Sequence, residues 1–317
     1  MSTLTNTEIL QDVIAAFKVQ VPFLFKIGRE FTAETLKKGQ SAIAHISQVP
    51  TVNSYDAAKG YGHSDNTQES KDLVTDISIL IDKHEHVDIN ISYLNSISDK
   101  KEVYEEAIHN AGFALARAVV LDLLSKVTAA NFSKVSQVDA VNYDRDTLGS
   151  IRKQMNTDKA SPFGRIGIVN SDAYEGLDAD PRIASKDYYG QQTGGSALGQ
   201  LKNVAGFGEV FEYPELPANG EGLNGFFFDP RAVAIKTGIP DDISKIAKAR
   251  GIPEIASFSV ETDPDTGLSF LSIEHMKPGT FDIVCTVTLL WGIAAGKQGG
   301  TAGALTDLAG HRVVEAP

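Results

Sequence analysis

The sequence predicts an α+β fold, and three stretches of it carry that prediction. Residues 76–92 alternate apolar and polar side chains as a half-buried strand does. Residues 99–127 repeat apolar side chains at helical spacing, and residues 256–296 have the pattern of a hairpin followed by a long apolar strand. Between the helix and the hairpin the pattern is mixed, with short strands and helices interrupted by glycine and proline.

The first elements are a short amphipathic helix and an apolar segment. The helical pattern begins near Thr7, and the apolar letters VQVPFLFKIG follow before Arg29. Because so apolar a segment is unfavourable in water, we expect it to pack against a partner surface.

A long excursion follows from Lys37. Its outgoing part, KKGQSAIAHISQVPTVNSYD, alternates like an exposed strand, and AAKGYGHSDNTQES contains mainly glycine, polar and charged residues with little to bury. The returning part leads into the strand pattern of residues 76–92. An excursion of this size is uncommon in a compact domain, and such segments are usually functional or packed on something else.

The returning stretch DISILIDKHEHVDINIS raises the question of a metal site. His84 and His86, flanked by Asp82 and Asp88, offer the nitrogen and oxygen ligands that zinc or iron accepts. A half-buried strand groups the same polar side chains on its wet face without any ligand. We therefore predict that no metal binds at His84, Glu85, His86 and Asp88. A metal-dependent enzyme or binding protein that uses His84 and His86 is kept as the alternative.

The next element is a long helix. Asp99 and Glu102 form a capping-box pair, and acidic residues in the first turns complement the helix dipole, which explains Glu105 and Glu106 without a catalytic role. From Asp99 to Val127 the helix would extend about 43 Å, at about 1.5 Å per residue. Its small residues Ala111, Ala114 and Ala118 predict a stripe that packs closely beneath a sheet.

The remaining elements are shorter. The pattern predicts a helix in DRDTLGSIRKQM, a buried strand in GRIGIVN, a turn or short helix in DAYEGLDADPRI, strand segments in LKNVAGFGEVFEYPELP, a strand followed by a short helix in GLNGFFFDPRAVAIKTG, a hairpin in ASFSVETDPDTGLSFLSIEHM and a buried strand in TFDIVCTVTLLWGIAAG. Pro264 to Gly267 supply the turn of that hairpin.

The composition excludes several classes of protein. The chain has 317 residues and a formal charge of -12, without a basic cluster that would neutralise a row of phosphates, so we expect no sequence-specific nucleic-acid binding. The single cysteine, Cys285, lies in an apolar run, excludes an internal disulfide and fits a reducing cytoplasm. The N-terminus lacks a signal-peptide pattern, and no run reaches the roughly 18 apolar residues of a membrane span.

Three motif-like stretches do not fit the chemistry they resemble. GFGEVF, at Gly206 to Phe211, lacks the third glycine and the helix of a dinucleotide fingerprint. GGSALG, at Gly194 to Gly199, misses the spacing of a nucleophile elbow. Asp263 to Glu274 has acids in calcium-loop positions but Leu268 where glycine is required, so a hairpin turn is predicted. The sequence predicts no catalytic, cofactor-binding or metal-binding residue.

The order of elements resembles the major capsid protein of tailed bacteriophages, the Hong Kong 97 type of fold. The resemblance runs from about Phe17 to Gly296. It is carried by LKKGQSAIAHISQVPTVNSY as the outgoing arm of the extended loop, LIDKHEHVDINIS as its return, and RIGIVNSDAYEGLDAD with LKNVAGFGEVFEYPELP in the axial domain. The matches are of pattern and order along the chain.

The resemblance implies a division of the chain. It assigns residues 1–36 to an N-terminal arm, 37–80 to an extended β-hairpin loop, 81–135 to a peripheral domain with a long spine helix, 136–257 to an axial domain, and 258–317 to return strands of the peripheral domain and the C-terminus. In this scheme the extended loop lies across a neighbouring subunit. Strands that bury little by themselves would thereby find a surface to pack on.

The resemblance also implies a function. It predicts a structural protein, not an enzyme, that needs no cofactor and assembles with copies of itself into hexamers and pentamers of an icosahedral shell around double-stranded DNA. Without a long helical prodomain before the extended loop, assembly is expected to use a separate scaffolding protein or none. A portal and a decoration protein are further expected partners. The expected location is the virion, after assembly in the host cytoplasm.

Overall fold

Two β-sheets with helices packed against them form the structure. The computed structural model describes residues 6–47, 55, 57, 74–91, 101–158, 160–184, 200–240, 255–276, 283–296, 298–299, 305–306 and 310–316. The capping residue Asp99, most of the excursion between 48 and 73, and the GGSALG stretch lie outside these residues.

The first sheet has six strands in the order β1, β10, β13, β12, β11, with β4 also paired to β13. Their bounds are β1 Gly28–Leu36, β4 Lys83–Ile91, β10 Val233–Pro240, β11 Ile255–Thr262, β12 Ser269–Met276 and β13 Ile283–Ala295. The β1 and β10 pair is parallel and the other pairs are antiparallel. The predicted hairpin, β11 with β12, and the closing apolar strand, β13, are therefore confirmed. The hairpin lies at one edge of this sheet, and β13 lies at its centre.

Two helices cover one face of the first sheet. Helix α1 is Asn6–Gln20, followed by a short 3-10 helix at Pro22–Lys26, and the long helix α2 is Lys101–Ser125. The apolar residues of α1 and α2 join those of β13 in one core. The partner surface predicted for the N-terminal apolar segment is supplied by the same chain, because Phe23 of this segment joins the core and packs against Phe211 and Tyr213.

The contact between α1 and α2 is close because α2 carries a glycine at the crossing. A Cβ atom at Gly112 would lie 2.7 Å from the carbonyl oxygen of Val13 and 2.8 Å from Cβ of Ala16. Any side chain at this position would push the helices apart.

The predicted alanine stripe of α2 needs a correction. Ala111 is buried and Ala118 is half-buried, but the side chain of Ala114 is exposed. The core face of α2 is formed instead by larger residues, namely Ile108, Leu115, Val119, Val120, Leu123 and Leu124. The alanine spacing predicted a stripe that lies beside the true apolar face. Leu and Val bury more apolar area than Ala, so the helix packs with its larger residues toward the core.

Among the described helices, α2 contains one stretch, Glu105–Ser125, that is long and apolar enough to cross a membrane by length and composition. Half of that stretch is buried inside the protein, against α1 and the first sheet. Its apolar character is therefore accounted for by packing within the chain.

The second sheet has six strands in the order β5, β16, β9, β6, β8, β7. Their bounds are β5 Val135–Gln137, β6 Ile166–Val169, β7 Gln200–Val204, β8 Phe207–Glu212, β9 Leu223–Phe228 and β16 Gly310–Val314. Helices α3 Arg145–Thr157, α4 Ser171–Ala179 and α5 Pro181–Ala184 accompany it. The side chains of Asp144 and Asn170 cap α3 and α4. A two-stranded pair, β14 Gln298–Gly299 and β15 Leu305–Thr306, lies outside both sheets.

Sheet membership differs from the predicted segments at two strands. Strand β10 falls inside the segment 136–257, but it pairs with β1 and β13 in the first sheet. Strand β16 falls inside the segment 258–317, but it lies between β5 and β9 in the second sheet. The short helix predicted after the GLNGFFF strand is wrong, because Val233–Pro240 is an extended strand with buried side chains on both faces.

The two sheets share a junction at the C-terminal end of α2. The side-chain amide of Asn219 donates to the carbonyl oxygens of Leu124 and Val127, both at 2.7 Å. Arg117 of α2 pairs with Glu215, and Glu221 accepts from the backbone N–H of Ala129 at 3.0 Å while it pairs with Arg312 of β16. Residues of both sheets, including Phe226 and Trp291, belong to one continuous apolar core. The junction therefore holds the sheets by packing as well as by polar contacts.

Candidate assembly surface

A separate two-stranded ribbon packs against the first sheet. It consists of β2 Ser41–Ser47 and β3 Val74–Leu80, paired antiparallel from Ser41 opposite Leu80 to Ser47 opposite Val74. This is the hairpin predicted for the extended loop, and it is confirmed. Of the residues that continue between Ser47 and Val74, the structure describes Tyr55 and Ala57.

One face of the ribbon holds its base on the sheet. Ala42, Ala44, Ile77 and Ile79 are buried and form a small cluster with Leu36, Ile81, Ala234 and Leu290. At the base, the backbone N–H of Gly39, which has φ of +89°, donates to the Ile81 carbonyl at 2.7 Å, and the N–H of Ile81 donates to the Gln40 carbonyl at 2.9 Å. The ribbon is thus anchored by both apolar packing and a hydrogen-bonded turn.

A glycine in the sheet makes room for the crossing ribbon. A Cβ atom at Gly292 would lie 2.3 Å from the Leu80 carbonyl oxygen and 2.9 Å from Cγ2 of Ile79. Since these contacts are shorter than atoms can tolerate, the ribbon rests directly on the backbone of β13.

The opposite face of the ribbon exposes apolar side chains. Ile43 is 52% exposed and Leu80 is 53% exposed, and the pairing register places them on this face beside Ser41 and Ser78. The inner face of the ribbon packs on the first sheet, whereas Ile43 and Leu80 expose about half of their surface to solvent. Its exposed face, defined by Ile43 and Leu80, is therefore a candidate contact surface.

A second apolar surface lies at the edge strand β11. The side chain of Glu261 accepts from Gln11 of α1 at 3.1 Å, so odd-numbered side chains of β11 face the helices. Phe258 and Val260 point to the opposite face, where they are 66% and 39% exposed, and Ile273 lies across from Phe258 on β12. These three residues are called the apolar strip. A large aromatic side chain exposed on an edge strand is typical of an interaction surface.

The predicted strand face of β4 is confirmed. His84, His86 and Asp88 are exposed on β4, opposite Leu290, Thr288 and Thr286 of β13. The Asp88 carboxylate accepts from the Thr286 hydroxyl at 2.6 Å, and His86 Nε2 lies 3.9 Å from the other Asp88 oxygen. Burial lowers the pKa of His84, and the charge of Lys38 lowers it further. Within the described residues, no three His, Cys, Asp or Glu side chains are placed to hold a metal ion.

The other sequence motifs have structural roles. Asp263 lies at the turn between β11 and β12, where its carboxylate accepts from Lys18 at 3.0 and 3.1 Å and from Thr266. The GFGEVF stretch forms the start of strand β8, not the helix of a nucleotide-binding fold. Cys285 is buried, and burial raises the pKa of its thiol. No described residue of these motifs forms a catalytic arrangement.

The apolar strip was missed by the sequence analysis. The residues 258–260 alternate apolar and polar side chains as in any half-buried strand. This pattern does not predict which face of β11 is covered by another element. Only the position of α1 on the opposite face identifies Phe258 and Val260 as exposed.

Comparison with known proteins supports the fold. No protein-family model matches the sequence, and no curated protein matches it significantly. Among solved structures, the capsid of Ralstonia phage GP4 matches with a TM-score of 0.52 and 9% identity, over 92% of this chain and 87% of that one. The capsid of cyanophage P-SCSP1u matches with a TM-score of 0.51 and 15% identity, over 90% and 86%.

The head structure of Helicobacter pylori bacteriophage KHP40 also matches, with a TM-score of 0.51 and 13% identity, over 93% of this chain and 90% of that one. The overall fold of this chain is thus similar to that of phage capsid and head structures. The chain has the Hong Kong 97-type capsid fold, with α2 as its spine helix and β2 with β3 as its extended loop. The predicted fold class is confirmed.

Proposed function

We propose that this chain is the major capsid protein of a tailed bacteriophage. It is a structural subunit without enzymatic activity that assembles with its own copies into hexamers and pentamers of an icosahedral shell around double-stranded DNA. The observation that carries the proposal is the likeness of the whole fold, over about nine tenths of the chain, to capsid and head structures of phages. The segment scheme with an axial domain at residues 136–257 belongs to the same proposal, except that β10 pairs in the first sheet and β16 in the second.

The ribbon and the apolar strip supply the contacts between subunits. The ribbon leaves Ile43 and Leu80 exposed, and the strip leaves Phe258 and Val260 exposed. Burying these side chains against a neighbour removes apolar area from water, at about 25 cal/mol per Å². The ribbon of one subunit lies across the next, so each subunit both gives and receives a contact.

The charge of the chain suits a container for DNA. A net formal charge of -12 disfavours tight binding of phosphates, which suits a shell that encloses a genome without binding it tightly. A separate scaffolding protein, a portal and a decoration protein are the further partners of the proposal. Assembly in the host cytoplasm precedes its final location in the virion.

Particle size tests the proposal. The purified chain is studied by negative-stain electron microscopy and analytical ultracentrifugation, alone and co-expressed with the proteins of its neighbouring genes. We expect closed shells, or hexamers and pentamers, many times larger than the 34.0 kDa chain. The double variant Ile43→Glu and Leu80→Glu should stay folded and fail to assemble, whereas Val19→Glu, an exposed apolar position on α1, should assemble normally. A wild-type chain that remains monomeric under both conditions contradicts the proposal.

A further inference from the structure

An open pocket lies in the second half of the fold, away from the ribbon and the apolar strip. It has a volume of about 530 Å³ and is bounded by the outward face of α3 and by the turn between β7 and β8. Its lining includes Arg145, Ser150, Arg152, Lys153, Asn156 and Ala205. The opposite face of α3 is buried through Leu148, Ile151 and Met155. The charged face of the helix therefore lines the pocket.

The charges in this pocket are not balanced. Its one acidic residue, Asp146, is bound to Arg182, whose Nη1 donates to the carboxylate at 2.9 Å. In the part of the chain that the structure describes, neither Arg152 nor Lys153 has a carboxylate within ion-pair distance. A local excess of positive charge therefore exists on a chain whose net charge is -12.

Arg152 is positioned by the backbone of the neighbouring turn. Gly206 has φ of +92°, and a Cβ atom there would lie 2.6 Å from Cδ and 3.1 Å from Nη1 of Arg152. The aliphatic part of the Arg152 side chain thus contacts Gly206. Any side chain at position 206 would displace it. Burial lowers the pKa of the nearby Arg165 guanidinium, the Asp229 carboxylate raises it, and the charge of Arg152 lowers it.

We propose that this pocket binds a compact anion with two or more phosphate groups, either a free oligophosphate or the oligophosphate part of a nucleotide. Arg152 and Lys153 are adjacent on one helix and present two positive charges to the pocket, so the matching anion carries more than one negative charge. Arginine and lysine form charge-assisted hydrogen bonds with phosphate, and the Ser150 hydroxyl and the Asn156 amide supply neutral donors. The volume lies within the range of about 300 to 1,000 Å³ that is typical of small-molecule sites.

Equilibrium binding to the purified full chain tests this site. The probes are tripolyphosphate, ATP, adenosine and a hexapeptide of glutamate, each measured by isothermal titration calorimetry at low and moderate salt. The pocket variant is Arg152→Gln with Lys153→Gln. Its matched control is Lys202→Gln, which removes a positive charge from an exposed position on β7 outside the pocket lining. Circular dichroism verifies that each variant is folded.

We expect saturable binding of tripolyphosphate that weakens about tenfold or more in the pocket variant and is unchanged in the Lys202→Gln control. Equal affinities for ATP and tripolyphosphate support a free oligophosphate, and tighter binding of ATP supports a nucleotide. The proposal is overturned if tripolyphosphate does not saturate, if the pocket variant binds it as well as the wild type, or if the glutamate peptide binds more tightly. None of these results depends on whether the chain forms shells, so the capsid proposal is tested separately.

Discussion

The absence of a Cβ atom at Gly112 allows α1 to lie close to α2. An added Cβ would meet the Val13 carbonyl at 2.7 Å and Ala16 Cβ at 2.8 Å. We expect Gly112→Ala to lower the free energy of unfolding by about 1 to 3 kcal/mol through overpacking, although alanine in a helix is intrinsically better than glycine by about 1 kcal/mol.

Gly149 in α3 is the matched control for that substitution. An added Cβ there meets nothing within 4 Å, so Gly149→Ala should stabilise the chain by about 0.5 to 1 kcal/mol. Urea unfolding of both variants gives the comparison. Equal effects in the same direction would mean that the α1 and α2 contact is looser than described.

Buried His311 predicts a loss of stability in acid. Its Nε2 lies 2.8 Å from the Ser136 hydroxyl, and its buried Nδ1 has no hydrogen-bond partner among the described residues. Burial lowers the pKa of His311 to about 4, with Asp158 raising it and Lys134 lowering it. The folded state therefore keeps this ring neutral down to about pH 4, whereas the unfolded chain takes up the proton near pH 6.5.

The sign of the pH effect follows from that difference. The contribution of neutral His311 to stability is complete above about pH 6.5 and is lost as the pH falls toward 4, with a total on the order of 3 kcal/mol. His311→Gln should flatten the dependence of the free energy of unfolding on pH in this range, and His109→Gln at an exposed position of α2 should leave it as in the wild type. A wild-type stability that does not change between pH 6.5 and 4 would contradict the assignment.

The exposed histidines of β4 carry a further prediction. We expect elemental analysis of the purified protein to find no stoichiometric zinc, iron or manganese. His84 and His86 point outward from a strand whose polar neighbours pair with threonines of β13. A stoichiometric metal that disappears in the His84→Ala and His86→Ala variant would instead support the metal-dependent alternative.

At the scale of elements, the ribbon is the part that the capsid proposal needs most. Deleting Ala57 to Ser70 and joining the arms by a short turn leaves β2, β3 and the cluster at their base in place. We therefore expect a folded subunit with unchanged circular dichroism. Electron microscopy should show few or no closed shells, because the segment expected to reach the neighbour is gone. Normal particles from the deletion variant would mean that the excursion has no part in assembly.

Local patterns predicted most elements, because each depends on neighbours in sequence. The alternation in β3 and β4, the repeat in α2 and the turn at Pro264 to Gly267 all correspond to observed elements. The pairing of strands that are distant in the sequence could not be predicted from local patterns. The parallel pairing of β1 with β10 and the insertion of β16 beside β9 depend on contacts between segments that are far apart in the sequence, so no short window contains the signal.

The candidate surfaces show the same limit. The ribbon was predicted from its alternation and its polar continuation, but the exposure of Phe258 depends on α1 covering the other face of β11. The basic pocket likewise forms only where α3 meets the turn between β7 and β8. Arg145, Arg152 and Lys153 are ordinary exposed helix residues when read along the sequence.

At the scale of the whole molecule, the shared core predicts that both sheets unfold together. Trp291, the only tryptophan, is buried on β13 and donates its indole N–H to Asp122 of α2 at 3.0 Å, so its fluorescence reports on the first sheet. We expect its unfolding transition to coincide with that measured by far-UV circular dichroism and by amide exchange in β6 and β9. Separate midpoints would show that the junction at Asn219 does not couple the sheets.

The position of β16 has a consequence for synthesis on the ribosome. This strand fills an interior place in the second sheet, between β5 and β9, and hydrogen-bonds to strands made long before it. Strands that pair over such separations form their contacts late in folding. A nascent chain in which Gly310–Val314 has not yet been synthesised therefore exposes the edges of β5 and β9. The second sheet is therefore completed only once β16 has been made, and a chain terminated before this strand lacks the element that joins β5 to β9.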